Sequence, residues 1–152
     1  SEYLQEYVYN RNELQEGGKI KNDFRISPEG RIFRKFWIDE IPMLAVIATQ
    51  AIGKTIIKGA GELRVKESDR IKAIVINLRK MGASVEEFED GLTITGPTKL
   101  KGANINTFKD HRIAMAFTIA GLVAEGNTIL DDYDCVNISF PDFFNKIKML
   151  VK

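Results

Sequence analysis

HRIAMAFTIAGLVAEGNTIL, residues 111–130, repeats a pattern met earlier in the chain. EIPMLAVIATQAIGKTII, residues 40–57, likewise runs from small and apolar residues into glycine, a polar residue and Thr-Ile. Each reads as a buried helix feeding a strand. Laying Thr55 on Thr128 sets an offset of 73 positions, and the same offset carries ESDRIKAIV (67–75) onto FPDFFNKIK (140–148), with Asp69 on Asp142. The repeated unit is helix, strand, helix and then two strands. The opening segment Tyr3 to Gly18, followed by Lys19 to Ile26, is similar to the tail of an earlier copy. A first strand is expected outside the chain, and the fold class is α/β (α+β) built from repeated units.

Within one unit the local signals are explicit. Ile71, Ile74, Val75, Leu78 and Met81 recur at helical spacing, Ser68 or Asp69 can cap the start, and Gly82 stands where a helix C-terminal glycine belongs. Ser84 to Phe88 and Leu92 to Thr95 flank Asp90-Gly91, which predicts a β-hairpin. The alanines and Gly121 of residues 113–124 predict close approach of neighbouring elements, as for helices buried inside a ring of units.

Composition bounds the function classes. The 152 residues are 44% apolar, enough for one core, and the formal net charge of +1 lacks the basic excess that holds a nucleic acid. The apolar stretch from Ile113 to Ala124 is shorter than the ~20 residues of a membrane span. Cys135 is the single cysteine and SEYLQEY is no signal peptide, so a cytoplasmic location is expected, with neither nucleic acid nor membrane as partner. The start at Ser1 suggests an internal cut of a longer chain.

The chemistry concentrates at two helix starts. RVKESDR (64–70) crowds five charges into seven positions. It is either a solvated run of paired charges or an anion site, where free amides and the helix dipole assist Arg70 and Lys66 while Glu67 exchanges a proton. DHR (110–112) repeats the design with Asp110 as N-cap, His111 as a scaffold residue or acid/base, and Arg112 as a second planar fork. Asp39 precedes Glu40-Ile41-Pro42 and reads as a cap or a catalytic carboxylate. The histidine has no Cys or His cluster around it, so no metal is expected. Gly53-Lys54-Thr55 lacks the order of a phosphate-binding loop, and Asn137-Ile138-Ser139 lacks a secretory context for glycosylation.

LRVKESDRI (63–71), DHRIAMAF (110–117) and SFPDFF (139–144), together with DEIP (39–42) and GKTII (53–57), closely resemble the C-terminal domain of the 5-enolpyruvylshikimate-3-phosphate synthase family. The resemblance runs from about Asp39 to the end and is loose over residues 1–38. It implies one partial domain of an inverse α/β barrel-like fold of βαβαββ units. Residues 1–38 would be a partial unit, 39–111 a full one and 112–152 the start of the next. It also implies transfer of the enolpyruvyl group from phosphoenolpyruvate to the 5-hydroxyl of 3-phosphoshikimate without a cofactor, glyphosate as the family's inhibitor, and an absent N-terminal domain as partner. By position, the resemblance assigns Asp39 to the shikimate hydroxyl proton and Glu67 to the methylene proton. Lys66 and Glu62 are assigned to 3-phosphoshikimate contact, Arg70 and Arg112 to the phosphoenolpyruvate carboxylate, and His111 to support. Ile138 stands where many members carry a phosphate-binding lysine, leaving Lys146 or Lys148 or the absent domain to substitute. The related UDP-N-acetylglucosamine enolpyruvyl transferases are the alternative enzyme, and a non-catalytic anion-binding module on the same scaffold is the alternative class.

Overall fold

A computed structural model describes residues 38–150. The chain divides between Lys35 and Phe36 into two units. The second unit is the one described. The earlier repeat copy expected between Tyr3 and Ile26 lies outside the described residues.

A 3-10 turn at Ile38–Glu40 leads into helix α1 (Ile41–Ala48), with Pro42 in its first turn. Strand β1 (Gly53–Ile57) and a second 3-10 turn (Gly61–Val65) follow, then helix α2 (Arg70–Lys80) and the strands β2 (Ser84–Phe88) and β3 (Gly91–Gly96). Then come β4 (Asn104–Ile105), α3 (His111–Val123), β5 (Ile129–Leu130), a 3-10 turn (Asp134–Ile138) and α4 (Phe143–Leu150). The repeat is visible as structure: turn 61–65 maps onto turn 134–138 and the start of α2 at residue 70 onto the start of α4 at residue 143, each by the expected offset.

Strands β1, β3 and β2 form an antiparallel sheet in that order, with Gly53 opposite Gly96 and Ser84 opposite Thr95. Strand β4 pairs in parallel with β5, and α3 makes the crossover. The hairpin differs from expectation at its turn, because Gly91 already belongs to β3 and pairs with Phe88, leaving Glu89-Asp90 as the turn. Close approach is the physical reason: a Cβ on Gly91 would sit 2.0 Å from the carbonyl oxygen of Ile57. Gly82, by contrast, ends α2 at a φ of +87°, the left-handed role expected of it.

The core lies between the sheet and the helices. Ile71, Ile74, Val75 and Leu78 of α2 bury the predicted stripe against Leu92 and Ile94 of β3 and Phe117 of α3. Helix α1 packs on α3, and Gly121 lets Thr128 come within 3.0 Å of the place a Cβ would take. Burial of these two helices is one-sided, since Leu44, Ile47, Leu122 and Val123 remain exposed. No described element covers them. A smaller cluster of Ala114, Cys135, Val136 and Phe143 seats α4. Among the described residues no helix is long and apolar enough to cross a membrane.

Candidate active site

Both helix starts are capped by aspartate, as local sequence dictates. Asp69 accepts from the Lys72 amide at 3.0 Å and Asp110 from the Arg112 amide at 2.9 Å. Packing then joins the two starts. Arg70, only 1% exposed, reaches from α2 to the fully buried Asp110, donating Nε to Oδ2 at 2.7 Å and Nη2 to Oδ1 at 3.2 Å. Ser68 adds its hydroxyl to Asp110 Oδ2 at 2.9 Å.

Two further carboxylates converge on the same guanidinium. Asp39, from the turn before α1, accepts from Arg70 Nη1 at 2.8 Å and lies 3.3 Å from Lys66 Nζ. Glu67 accepts from Arg70 Nη2 at 2.6 Å while its side chain stays 53% exposed. Burial by itself would lower the pKa of Arg70, but the bonds and charges of Asp110, Glu67 and Asp39 outweigh it and raise the pKa. For Asp110 the balance mirrors this: burial raises its pKa, and the Arg70 fork with the Ser68 and Arg112 bonds pulls it below the usual carboxylate range.

Arg112, 31% exposed, pairs through Nη1 with Glu40 Oε1. Adjacent residues therefore serve the two arginines, Asp39 taking Arg70 and Glu40 taking Arg112. Asp39, Glu40 and Arg112 form the polar rim of a cleft of about 240 Å³ whose walls are Met43, Met115, Ala116, Phe140 and Phe143.

This geometry corrects part of the sequence reading. Arg70 is not a fork open to a ligand: four of its N–H groups are taken by three protein carboxylates, so it acts as their internal counter-ion. The carboxylates come from three separate segments, which helix spacing does not reveal. Asp39 is no cap either, because α1 has no side-chain cap and Glu40 occupies the N-cap position. Glu62 is exposed at the start of the 61–65 turn and His111 is half-buried at the first position of α3. Neither makes a side-chain hydrogen bond among the described residues. Ile138 is 90% exposed, and of the two substitutes considered, Lys146 lies 5.1 Å over the Phe140 ring on the cleft wall.

The pairing roles of Glu40, Ser68 and Asp110 went unread in the sequence, where Ser68 is a candidate cap and Asp69 proves to be the cap. The acidic pair Asp39-Glu40 was the available signal for the first of them. What stays open defines the chemistry. Among the described residues Arg112 keeps its Nε and Nη2 edge, suited to a carboxylate, and Glu67 Oε1 and Asp39 Oδ2 have no partner. Two carboxylates, each steadied through one oxygen and free at the other, can hold or accept protons, and one of them, Asp39, shares the cleft with Arg112. Lys66, Arg70 and Arg112 face Asp39, Glu40, Glu67 and Asp110, so the cluster carries one negative charge in excess. No group of three metal-ligating side chains occurs among the described residues.

The sequence and fold have known counterparts. The family described as EPSP synthase (3-phosphoshikimate 1-carboxyvinyltransferase) matches residues 31–147. The 3-phosphoshikimate 1-carboxyvinyltransferase of Thermodesulfovibrio yellowstonii is 56% identical over 127 residues, which are 84% of this chain and 29% of that protein. The Aquifex aeolicus enzyme of the same name is 58% identical over 115 residues, 76% of this chain and 27% of that protein. An EPSP synthase structure from Acinetobacter baumannii superposes with a TM-score of 0.72 at 40% identity, covering 74% of this chain and 27% of that one. The chain thus spans under a third of the length of these relatives. With motifs, fold and sequence in agreement over the same residues, the chain belongs to the EPSP synthase (3-phosphoshikimate 1-carboxyvinyltransferase) family.

Proposed function

We propose that this chain is the acid/base half of an enolpyruvyl transferase site that moves the 1-carboxyvinyl group of phosphoenolpyruvate to the 5-hydroxyl of 3-phosphoshikimate and releases inorganic phosphate. The observation that carries the reading is the convergence of Asp39 and Glu67 on one buried guanidinium, with the free edge of Arg112 beside Asp39 and Glu40.

In the addition step Asp39 takes the hydroxyl proton as the oxygen bonds to C2, while Glu67 gives a proton to C3. In the elimination step a C3 proton returns to Glu67, the C2–C3 double bond forms again, and the C2–O bond to phosphate breaks, the leaving oxygen taking up the proton that Asp39 removed. Arg112 holds the ligand carboxylate on its free edge. Arg70 supports from below, keeping both carboxylates in place. Lys66 and Glu62 would contact 3-phosphoshikimate and His111 would support the start of α3. No cofactor is required by this scheme.

Electrostatics say why this half is insufficient. Two highly anionic substrates do not gather on a cluster with a net negative charge, so further cations must come from outside the described residues. The N-terminal domain implied by the resemblance is the source proposed, with catalysis in the cleft between the two domains. A reducing cytoplasm fits the single buried thiol Cys135.

The test is phosphate release in the complete enzyme. Glu67→Gln is expected to lower turnover about 100-fold or more, with substrate binding changed little. Wild-type turnover in that variant would remove the acid role. Steady phosphate release from the 152-residue chain alone would overturn the half-site reading.

A further inference from the structure

Arg64 lies two and three residues ahead of Lys66 and Glu67, at the end of the 61–65 turn, and its side chain is three-quarters buried. Its Nη1 donates to both carboxylate oxygens of Asp69, at 3.2 and 3.0 Å, and stands 2.8 Å from Glu87 Oε1 on β2. Nε donates to the carbonyl of Glu89 at 2.8 Å and Nη2 to that of Phe88 at 2.6 Å. One guanidinium thus ties the 61–65 turn to the N-cap of α2 and to the end of the β2–β3 hairpin.

The bridge from Arg64 to Asp69 closes the segment that carries Lys66, Glu67 and Ser68. Each of these three reaches the site, toward Asp39, Arg70 and Asp110 respectively. Residues 66–68 are bends outside any helix or strand. Among the described residues none of their backbone N–H groups donates to a backbone carbonyl. Side-chain anchors must therefore set the shape of the loop. At its far end Arg70 is clamped by Asp110, and at its near end Arg64 is the clamp.

We infer that Arg64 is a positioning residue for the reaction: it fixes where Glu67 and Lys66 stand while directing its own donors at the protein. The inference rests on the transferase reading, because only there does the place of Glu67 control a rate. Displacing a reacting group by about 1 Å costs on the order of 100-fold in rate.

The experiment compares Arg64→Gln, Arg64→Lys and Arg79→Gln in the complete enzyme. Arg79 is the structural control, since it ties α2 to β2 through the Val85 carbonyl, at 3.1 and 2.8 Å, away from the loop. Arg64→Gln is expected to lower kcat about 30- to 100-fold with KM for phosphoenolpyruvate within about threefold. Arg64→Lys should recover part of that loss, and Arg79→Gln should keep kcat within about twofold. Amide hydrogen exchange across 66–69 should quicken in Arg64→Gln alone. Should Arg64→Gln fail to fold, Arg64→Lys against Arg79→Gln decides by the same two readouts. A folded Arg64→Gln enzyme with wild-type kcat and unchanged exchange overturns the inference, as does an equal loss in Arg79→Gln. If the wild-type enzyme transfers no enolpyruvyl group, the transferase reading fails, and selective exchange across 66–69 still decides whether Arg64 holds the loop.

Discussion

Replacing Asp110 by asparagine keeps the side-chain shape and removes the charge at the centre of the cluster. Asp110 accepts four bonds: Arg70 Nε and Ser68 Oγ at Oδ2, and Arg70 Nη2 and the Arg112 amide at Oδ1. An amide in place of Oδ2 turns its own donors toward two donors, losing two bonds to a charged acceptor of about 1.5–3 kcal/mol each at most. Orphaning one member of a buried ion pair costs about 3–5 kcal/mol in general. Asp39 and Glu67 still compensate Arg70, so the expected loss is near the lower end, about 3 kcal/mol. For a chain of 152 residues that corresponds to a Tm lower by about 6–12 °C. Urea and thermal unfolding followed by circular dichroism would measure it.

The pH dependence supplies a second arm with a definite sign. The folded-state pKa of Asp110 is depressed, so its stabilisation is present above the unfolded value and is lost as pH falls through the folded one. The gap between wild type and Asp110→Asn should therefore narrow below about pH 4. A loss under about 1 kcal/mol at pH 7, or a gap that stays constant into strong acid, would refute the view that this carboxylate carries the cluster.

Three further outcomes follow from particular contacts. Glu40→Gln breaks a partly exposed pair with Arg112 and should change unfolding free energy by no more than about 1 kcal/mol, in contrast to Asp110→Asn; a loss comparable to that of Asp110→Asn would contradict the difference in burial. Gly91→Ala drives a methyl into the Ile57 carbonyl and should cost about 3 kcal/mol in urea unfolding by separating β1 from β3, so unchanged stability would deny the close approach. Burial raises the pKa of Cys135, with Asp132 and Asp110 adding to it, so iodoacetamide at pH 7.5 should label the native chain far more slowly than the urea-unfolded chain.

Elements were legible where the cause is local. The offset repeat, the stripe from Ile71 to Met81, the aspartate caps and Gly82 at a positive φ are decided within a few residues of chain, and the structure places them as read. The hairpin turn was displaced by one residue because Gly91 answers to the passing backbone of Ile57, a contact between segments far apart in sequence. The resemblance named Asp39, Lys66, Glu67, Arg70 and Arg112, but neither Glu40 nor Ser68 as their partners, nor how any of them pair. Arg70 reads as a ligand fork from its place at a helix start, yet it is neutralised by carboxylates 31 and 40 positions away.

The amino-acid sequence by itself determined the repeated helix and strand units, the two capped helix starts and the family to which they belong, because periodicity, capping and motif identity are properties of neighbouring residues. Tertiary structure alone decided that Arg70 turns inward while Arg112 keeps an open edge, and that Arg64 pins the loop of residues 66–68 ahead of Arg70. The reason is that an ion pair forms between whichever charges packing brings within reach. The packing of α2 against α3, and of α1 beside them, is set by the whole core and not by any one stretch of the chain.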